Sequence, residues 1–201
     1  MKMFTVGIIA VVVIVVAAVA LRPQIARAEL VKEGEIAPPF TTQMVTGDNE
    51  APVSLADFHG KKVILYFYPK DETSGCTKEA CAFRDGYARF TDAGLVVLGC
   101  SVDSADAHKD FIRKNNLPFP LLLDPDKKIA KAYGAANGIP ILGLDRRITY
   151  VIDENGKVLK VYPSVDPSTH AIEILTDLGV PKTAPPAAPA APASPAAPAA
   201  N

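Results

Sequence analysis

Three cysteines, Cys76, Cys81 and Cys100, are the residues of this 201-residue chain with most chemistry to offer. Taken singly, a cysteine is usually a small buried hydrophobe. Cys76 and Cys81 differ, because they stand five apart in a Gly- and Thr-containing segment just behind an apolar run. A thiol attacks as its thiolate, so a reactive site must lower the cysteine pKa from its ordinary ~8.5. Cys76 falls where a helix should begin, with positive dipole potential and free N–H groups directed at sulfur. Gly75 lets the backbone come close to a small substrate, and Thr73 can point a hydroxyl at the sulfur. Within one regular helix, five residues give about 140° of rotation and a rise of about 7.5 Å. The Cα atoms of Cys76 and Cys81 then lie roughly 8–9 Å apart, beyond the ~7 Å limit for a disulfide. Pairing the two sulfurs therefore requires the first turns of that helix to unwind.

The elements around this segment read as a mixed α/β domain. Lys62 to Tyr68 is a strand buried on both faces, ended by Pro69. A helical stripe follows through Phe83, Tyr87 and Phe90, and Leu95–Cys100 is a second buried strand, which makes a parallel βαβ unit. Asp103 and Ser104 cap a helix over roughly 105–115, and 121–123 is a short strand. Asp124-Pro125 opens a helix through about Gly134, and 134–145 is a loop. The runs 147–152 and 157–162 flank Asp153-Glu154-Asn155-Gly156, a hairpin signal. A last helix spans about 167–178. This order, βαβ, a helical insertion, then ββα, is that of a thioredoxin-like fold: a central mixed sheet flanked by helices, here with an N-terminal extension. Its reactive loop lies at the C-terminal end of the first central strand, where ligands collect in open α/β sheets.

The run Tyr68-Pro69-Lys70-Asp71-Glu72-Thr73-Ser74-Gly75-Cys76-Thr77-Lys78-Glu79-Ala80-Cys81 resembles the peroxiredoxin family. Pro69, Thr73 and Cys76 fit its P-x-x-x-T-x-x-C signature. The longer match is similar to the peroxiredoxin Q (bacterioferritin comigratory protein) group, as are Val97–Ser104 and Leu123–Asp126. The resemblance covers roughly residues 31–178. It implies a thiol peroxidase of the peroxiredoxin-type thioredoxin fold, reducing hydrogen peroxide and organic hydroperoxides without a cofactor. Cys76 would be the nucleophile and Cys81 the resolving thiol. Thr73 would align the peroxide, and a thioredoxin-like dithiol would restore both cysteines. Without a resolving thiol, a sulfenic acid is exposed to further oxidation. The family's arginine opens the strand before the hairpin, and Arg147-Ile148-Thr149-Tyr150-Val151-Ile152-Asp153 is similar to that pattern. Strand side chains alternate faces, so only one of Arg146 and Arg147 can reach the pocket; the match selects Arg147 and leaves Arg146 at a solvated strand end. Glu79 corresponds to a glutamate that orients the arginine. Monomer is the group's usual state. Two residues depart from the group: Ser74 replaces a proline, and Cys100 replaces a small apolar residue and reads as a buried structural cysteine.

The remaining features bound the reading. Phe4 to Leu21 is an apolar run interrupted only by Thr5 and Gly7, and Ala26-Arg27-Ala28 fits a cleavage pattern. Residues 1–28 are thus expected to be an export signal, or an uncleaved membrane tether through 4–21, placing residues 29–182 in a periplasm-like space. Residues 183–201 are an Ala/Pro-rich tail of polyproline II character. Beyond residue 28 the chain carries 22 acidic against 18 basic groups, which gives no footprint for nucleic acid. His59, His108 and His170 are scattered without ligand spacing, and read as surface or capping residues rather than a metal site. An exported thiol–disulfide exchange protein would need C-x-x-C, and a copper chaperone of this fold C-x-x-x-C; both spacings are absent.

Overall fold

The computed structural model describes residues 29–136 and 144–182. The expectations for residues 1–28, for 183–201 and for most of the 134–145 loop therefore lie outside the described residues.

Along the chain run β1 (Thr41–Thr46), β2 (Asn49–Ser54), β3 (Lys62–Phe67), α1 (Ser74–Asp85), α2 (Tyr87–Asp92), β4 (Leu95–Ser101) and α3 (Ala105–Asn115). They continue with β5 (Leu121–Leu123), α4 (Lys128–Ala132), β6 (Ile148–Ile152), β7 (Val158–Tyr162) and α5 (His170–Asp177). All seven strands form one sheet in the order β2-β1-β5-β4-β3-β6-β7. β3 pairs parallel with β4 and β4 with β5, while β6 runs antiparallel to β3 and to β7. The sheet is thus mixed, with β3 and β4 at its centre.

Period-two alternation along β3 divides the core. Ile64, Tyr66 and Tyr68 face one side with Phe83, Phe90, Phe111, Ile174 and Leu175 from the helices. Val63, Leu65 and Phe67 face the other with Leu98, Cys100, Tyr133 and Tyr150. A strand apolar on both faces needs cover on both, and that is what the continuous run from Val63 to Tyr68 encodes.

Several boundaries differ from the sequence reading. The stripe through Phe83, Tyr87 and Phe90 belongs to two helices broken at Gly86, not one. The helix expected from Asp124 is only Lys128–Ala132, because the Asp124 carboxylate accepts from the backbone of Ile129 and Ala130 across an intervening turn. The N-terminal extension includes an antiparallel hairpin, β1–β2, that extends the sheet through β5. The turn after β6 is shaped by Asp153, whose Oδ1 accepts from Asn155 and Lys157, and by Gly156 at φ 79°.

Candidate active site

Strand β3 delivers Tyr68 to the sheet's C-terminal edge, and Pro69, unable to donate to a ladder, ends the pairing. The loop then turns through Glu72, a non-glycine residue at φ 62°. Thr73 is the extended N-cap of α1, and its carbonyl accepts from Thr77 at 2.9 Å. Its hydroxyl donates to the Lys70 carbonyl at 3.0 Å and caps no helical N–H. The N–H groups of Ser74, Gly75 and Cys76 therefore lack intrahelical acceptors and lie at the positive end of the dipole.

Cys76 is buried on the third residue of this helix. The β3–β6 register sets Ile148 opposite Phe67, so Arg147, one residue earlier, arrives beside the reactive loop. Arg147 Nη2 donates to Cys76 Sγ at 3.2 Å, and Nη1 donates to Glu79 Oε2. A side chain at Gly75 would set its Cβ 3.3 Å from Arg147 Nη2, so the missing side chain is what admits the guanidinium. Arg146 turns away and donates to the Gly134 carbonyl at 3.2 Å; it is half-buried, not the solvated strand end expected of it.

Glu79 is fully buried, and its Oε1 has no partner among the described residues. Burial pushes its carboxyl up to about 7, with the Arg147 charge and hydrogen bond opposing. Tyr66, behind the same helix, is also fully buried, and its hydroxyl has no partner among the described residues. Burial raises it well above the ordinary phenol value, and the charge of Glu79 adds to the effect.

Cys81 lies in the same regular helix as Cys76, and both are free thiols. Cys81 is half-buried, with Sγ 3.9 Å from Asn115 Oδ1, while neighbouring Arg84 donates to the Asn115 carbonyl at 2.8 Å. It opens onto a groove of about 540 Å³ between α1 and α5, floored by Ala82, Ala171 and Leu175. Cys100 is sealed in β4 opposite Phe67 and Leu122, and burial pushes its thiol well up. Of the residues singled out in the sequence, Gly75, Cys76, Glu79 and Arg147 meet at one point. Thr73 borders the loop, Pro69 ends the strand, and Cys81 stands apart down the helix.

Two histidines depart from the surface or capping role expected of them. His108 and His170 are both fully buried with both ring nitrogens engaged. His170 Nε2 meets Thr149 Oγ1 at 2.8 Å, and burial holds its ring below the ordinary histidine range, Glu173 opposing. His108 and Asp71 form a buried pair that spacing does not reveal, being 37 residues apart. The sequence signal that was available is helical: His108, Phe111 and Ile112 share the i, i+3, i+4 face of α3. Among the described residues no three His, Cys, Asp or Glu side chains converge as a metal site.

A mixed sheet with a buried free thiol at a strand–loop–helix junction, under an arginine from the neighbouring strand, has the architecture of a thiol enzyme on a thioredoxin-like fold. The comparisons name the class more closely. The AhpC/TSA family model matches residues 34–161. Peroxiredoxin Q of Sedum lineare chloroplasts is 47% identical over 146 residues, covering 72% of this chain and 76% of that protein. A putative bcp peroxiredoxin of Coxiella burnetii is 46% identical over 150 residues, covering 72% and 97%. The crystal structure of peroxidoxin BcpB from Mycobacterium tuberculosis superposes with TM-score 0.67 at 30% identity, covering 77% of this chain and all of that one. The chain belongs to the AhpC/TSA family, in its peroxiredoxin Q / bacterioferritin comigratory protein group, and is a peroxiredoxin enzyme.

Proposed function

We propose that this peroxiredoxin reduces hydroperoxides through a two-cysteine cycle, with Cys76 as nucleophile and Cys81 as resolving thiol. The Cys76 thiolate attacks the O–O bond, one oxygen stays on sulfur as the sulfenic acid, and the other leaves as alkoxide and takes up a proton. Cys81 then attacks the Cys76 sulfur, the S–O bond breaks, and hydroxide departs with a proton as water. A thioredoxin-type dithiol accepts the disulfide by exchange and returns both thiols. The observation that carries this reading is the Arg147 guanidinium, donating to Cys76 Sγ at 3.2 Å while tied to Glu79. A fixed cation there serves the attacking sulfur and the leaving oxygen without reorganising.

The second step has a mechanical condition. Both cysteines sit in helix α1, where five-residue spacing holds their Cα atoms roughly 8–9 Å apart. The start of α1 unwinds before the sulfurs bond. The apolar run 4–21 further supports an exported enzyme, reduced by a dithiol on the far side of a membrane.

Peroxide consumption by the full chain, with a thioredoxin-type reductant, tests the assignment. Cys76→Ser should abolish turnover, and Cys81→Ser should give one turnover and a sulfenic acid visible by mass. Sustained turnover by Cys76→Ser would overturn the proposal.

A further inference from the structure

Beneath the reactive loop lies a polar network that touches none of the reacting groups. Asp71 makes three hydrogen bonds there. Its Oδ1 accepts from the Tyr68 hydroxyl at 2.7 Å, and its Oδ2 meets His108 Nδ1 at 2.7 Å. Its backbone N–H donates to Asp103 Oδ2 at 2.8 Å, and that oxygen is itself held by the Ser101 hydroxyl at 2.7 Å. His108 Nε2 faces the Leu122 carbonyl at 3.2 Å. A carbonyl only accepts, so Nε2 is the ring nitrogen placed to donate to Leu122, while Nδ1 faces the Asp71 carboxylate. The loop is thereby tied to the ends of β3 and β4, to α3 and to β5.

We infer that His108, acting through Asp71, is a positioning residue for the loop that presents Thr73 and Cys76. The next residue, Glu72, holds a left-handed backbone conformation at φ 62°, which is strained for a non-glycine residue and persists only where surroundings over-determine it. Asp71 provides that constraint on one side, and the Thr73 N-cap and helix α1 take it up on the other. Only Glu72 separates anchor from cap. Releasing Asp71 lets Glu72 relax to a right-handed conformation and turns the helix start away from Arg147. Misplacement by about 1 Å is enough to cost on the order of 100-fold in a reaction that needs in-line geometry.

The inference rests on the proposed role of Cys76, and the test separates the two. In a Cys81→Ser background, single-turnover reaction of Cys76 with hydrogen peroxide is compared with its alkylation by iodoacetamide. No reaction of the background protein itself with peroxide would sink the nucleophile assignment, and this inference with it. Asparagine and glutamine place an amide nitrogen near the positions of Nδ1 and Nε2 respectively. His108→Asn thus keeps a donor for Asp71, whereas His108→Gln keeps only the bond to Leu122. His108→Gln should slow the peroxide reaction at least ~10-fold while alkylation falls by a clearly smaller factor, and His108→Asn should recover to within ~3-fold of the background. Equal rates in the two variants, or alkylation falling in step with peroxidation, overturns the inference. Should His108→Gln fail to fold, Tyr68→Phe removes a single bond to Asp71, and the same split between the two reactions is expected.

Discussion

Burial makes Glu79 a carboxyl that changes charge near neutral pH, and Glu79→Gln makes the consequence measurable. The carboxyl rises from its ordinary 4.5 to about 7, chiefly because it is buried. One pKa unit corresponds to about 1.4 kcal/mol, so keeping this group charged inside the fold costs about 3 kcal/mol. The folded state binds the proton more tightly than the unfolded chain does. The cost is therefore absent below about pH 4.5, grows between the two pKa values, and is complete above about pH 7. From pH 8 to pH 5 the wild type should gain about 2–3 kcal/mol through this one group. Glutamine cannot ionise, yet its amide oxygen still accepts from Arg147. Urea unfolding of both reduced proteins at pH 5, 6, 7 and 8, followed by circular dichroism because the chain has no tryptophan, gives the comparison. Asp145, pushed up to about 6 by burial, titrates in the same range with the same sign, but it is present in both proteins and cancels. The variant should be relatively more stable at pH 8 and lose that advantage at pH 5. A stability difference that stays flat across the series refutes the reasoning.

Gly75→Ala should separate activity from stability. The added methyl comes within 3.3 Å of Arg147 Nη2 and displaces the guanidinium, so the peroxide rate should fall about 10-fold. The helix itself should gain about 0.5–1 kcal/mol in denaturant melts, and a variant with full activity contradicts the account of how Arg147 is admitted. Tyr66→Phe removes a buried hydroxyl with no partner among the described residues, and should leave the fold as stable or up to about 1 kcal/mol more so. A loss above about 1 kcal/mol in the same melts would show that the hydroxyl is satisfied after all.

The sheet's centre was legible because β3 and β4 must be apolar on both faces, and a run such as Val63 to Tyr68 has few other uses. The β1–β2 hairpin was not, since Thr41–Thr46 and Asn49–Ser54 are largely polar and half-exposed, with a proline at position 52. Gly86 broke the helical stripe without breaking its periodicity, so two helices read as one. The reactive loop was readable because its residues are contiguous. Arg147 lies 71 residues from Cys76 and was named through family resemblance, because spacing alone cannot bring a strand end to a helix start. The pairing of Asp71 with His108 stayed hidden for the same reason, the two lying 37 residues apart. The helical periodicity of α3 signals that His108 is buried, but not that its partner is Asp71.

Helix α1 also has an electrochemical meaning. In the proposed cycle its fully folded form belongs to the dithiol state alone, so whatever its folding contributes to that state reappears in the reduction potential of the couple. Thirty millivolts correspond to about 1.4 kcal/mol for two electrons. A contact such as Arg147 with Glu79, of about 2 kcal/mol for a hydrogen bond to a charged group, raises the potential by about 40 mV if disulfide formation breaks it. A firm α1 makes the disulfide slower to form and easier for a dithiol to reduce. The helix that begins by offering its amide groups to Cys76 thus also sets how readily the enzyme is restored.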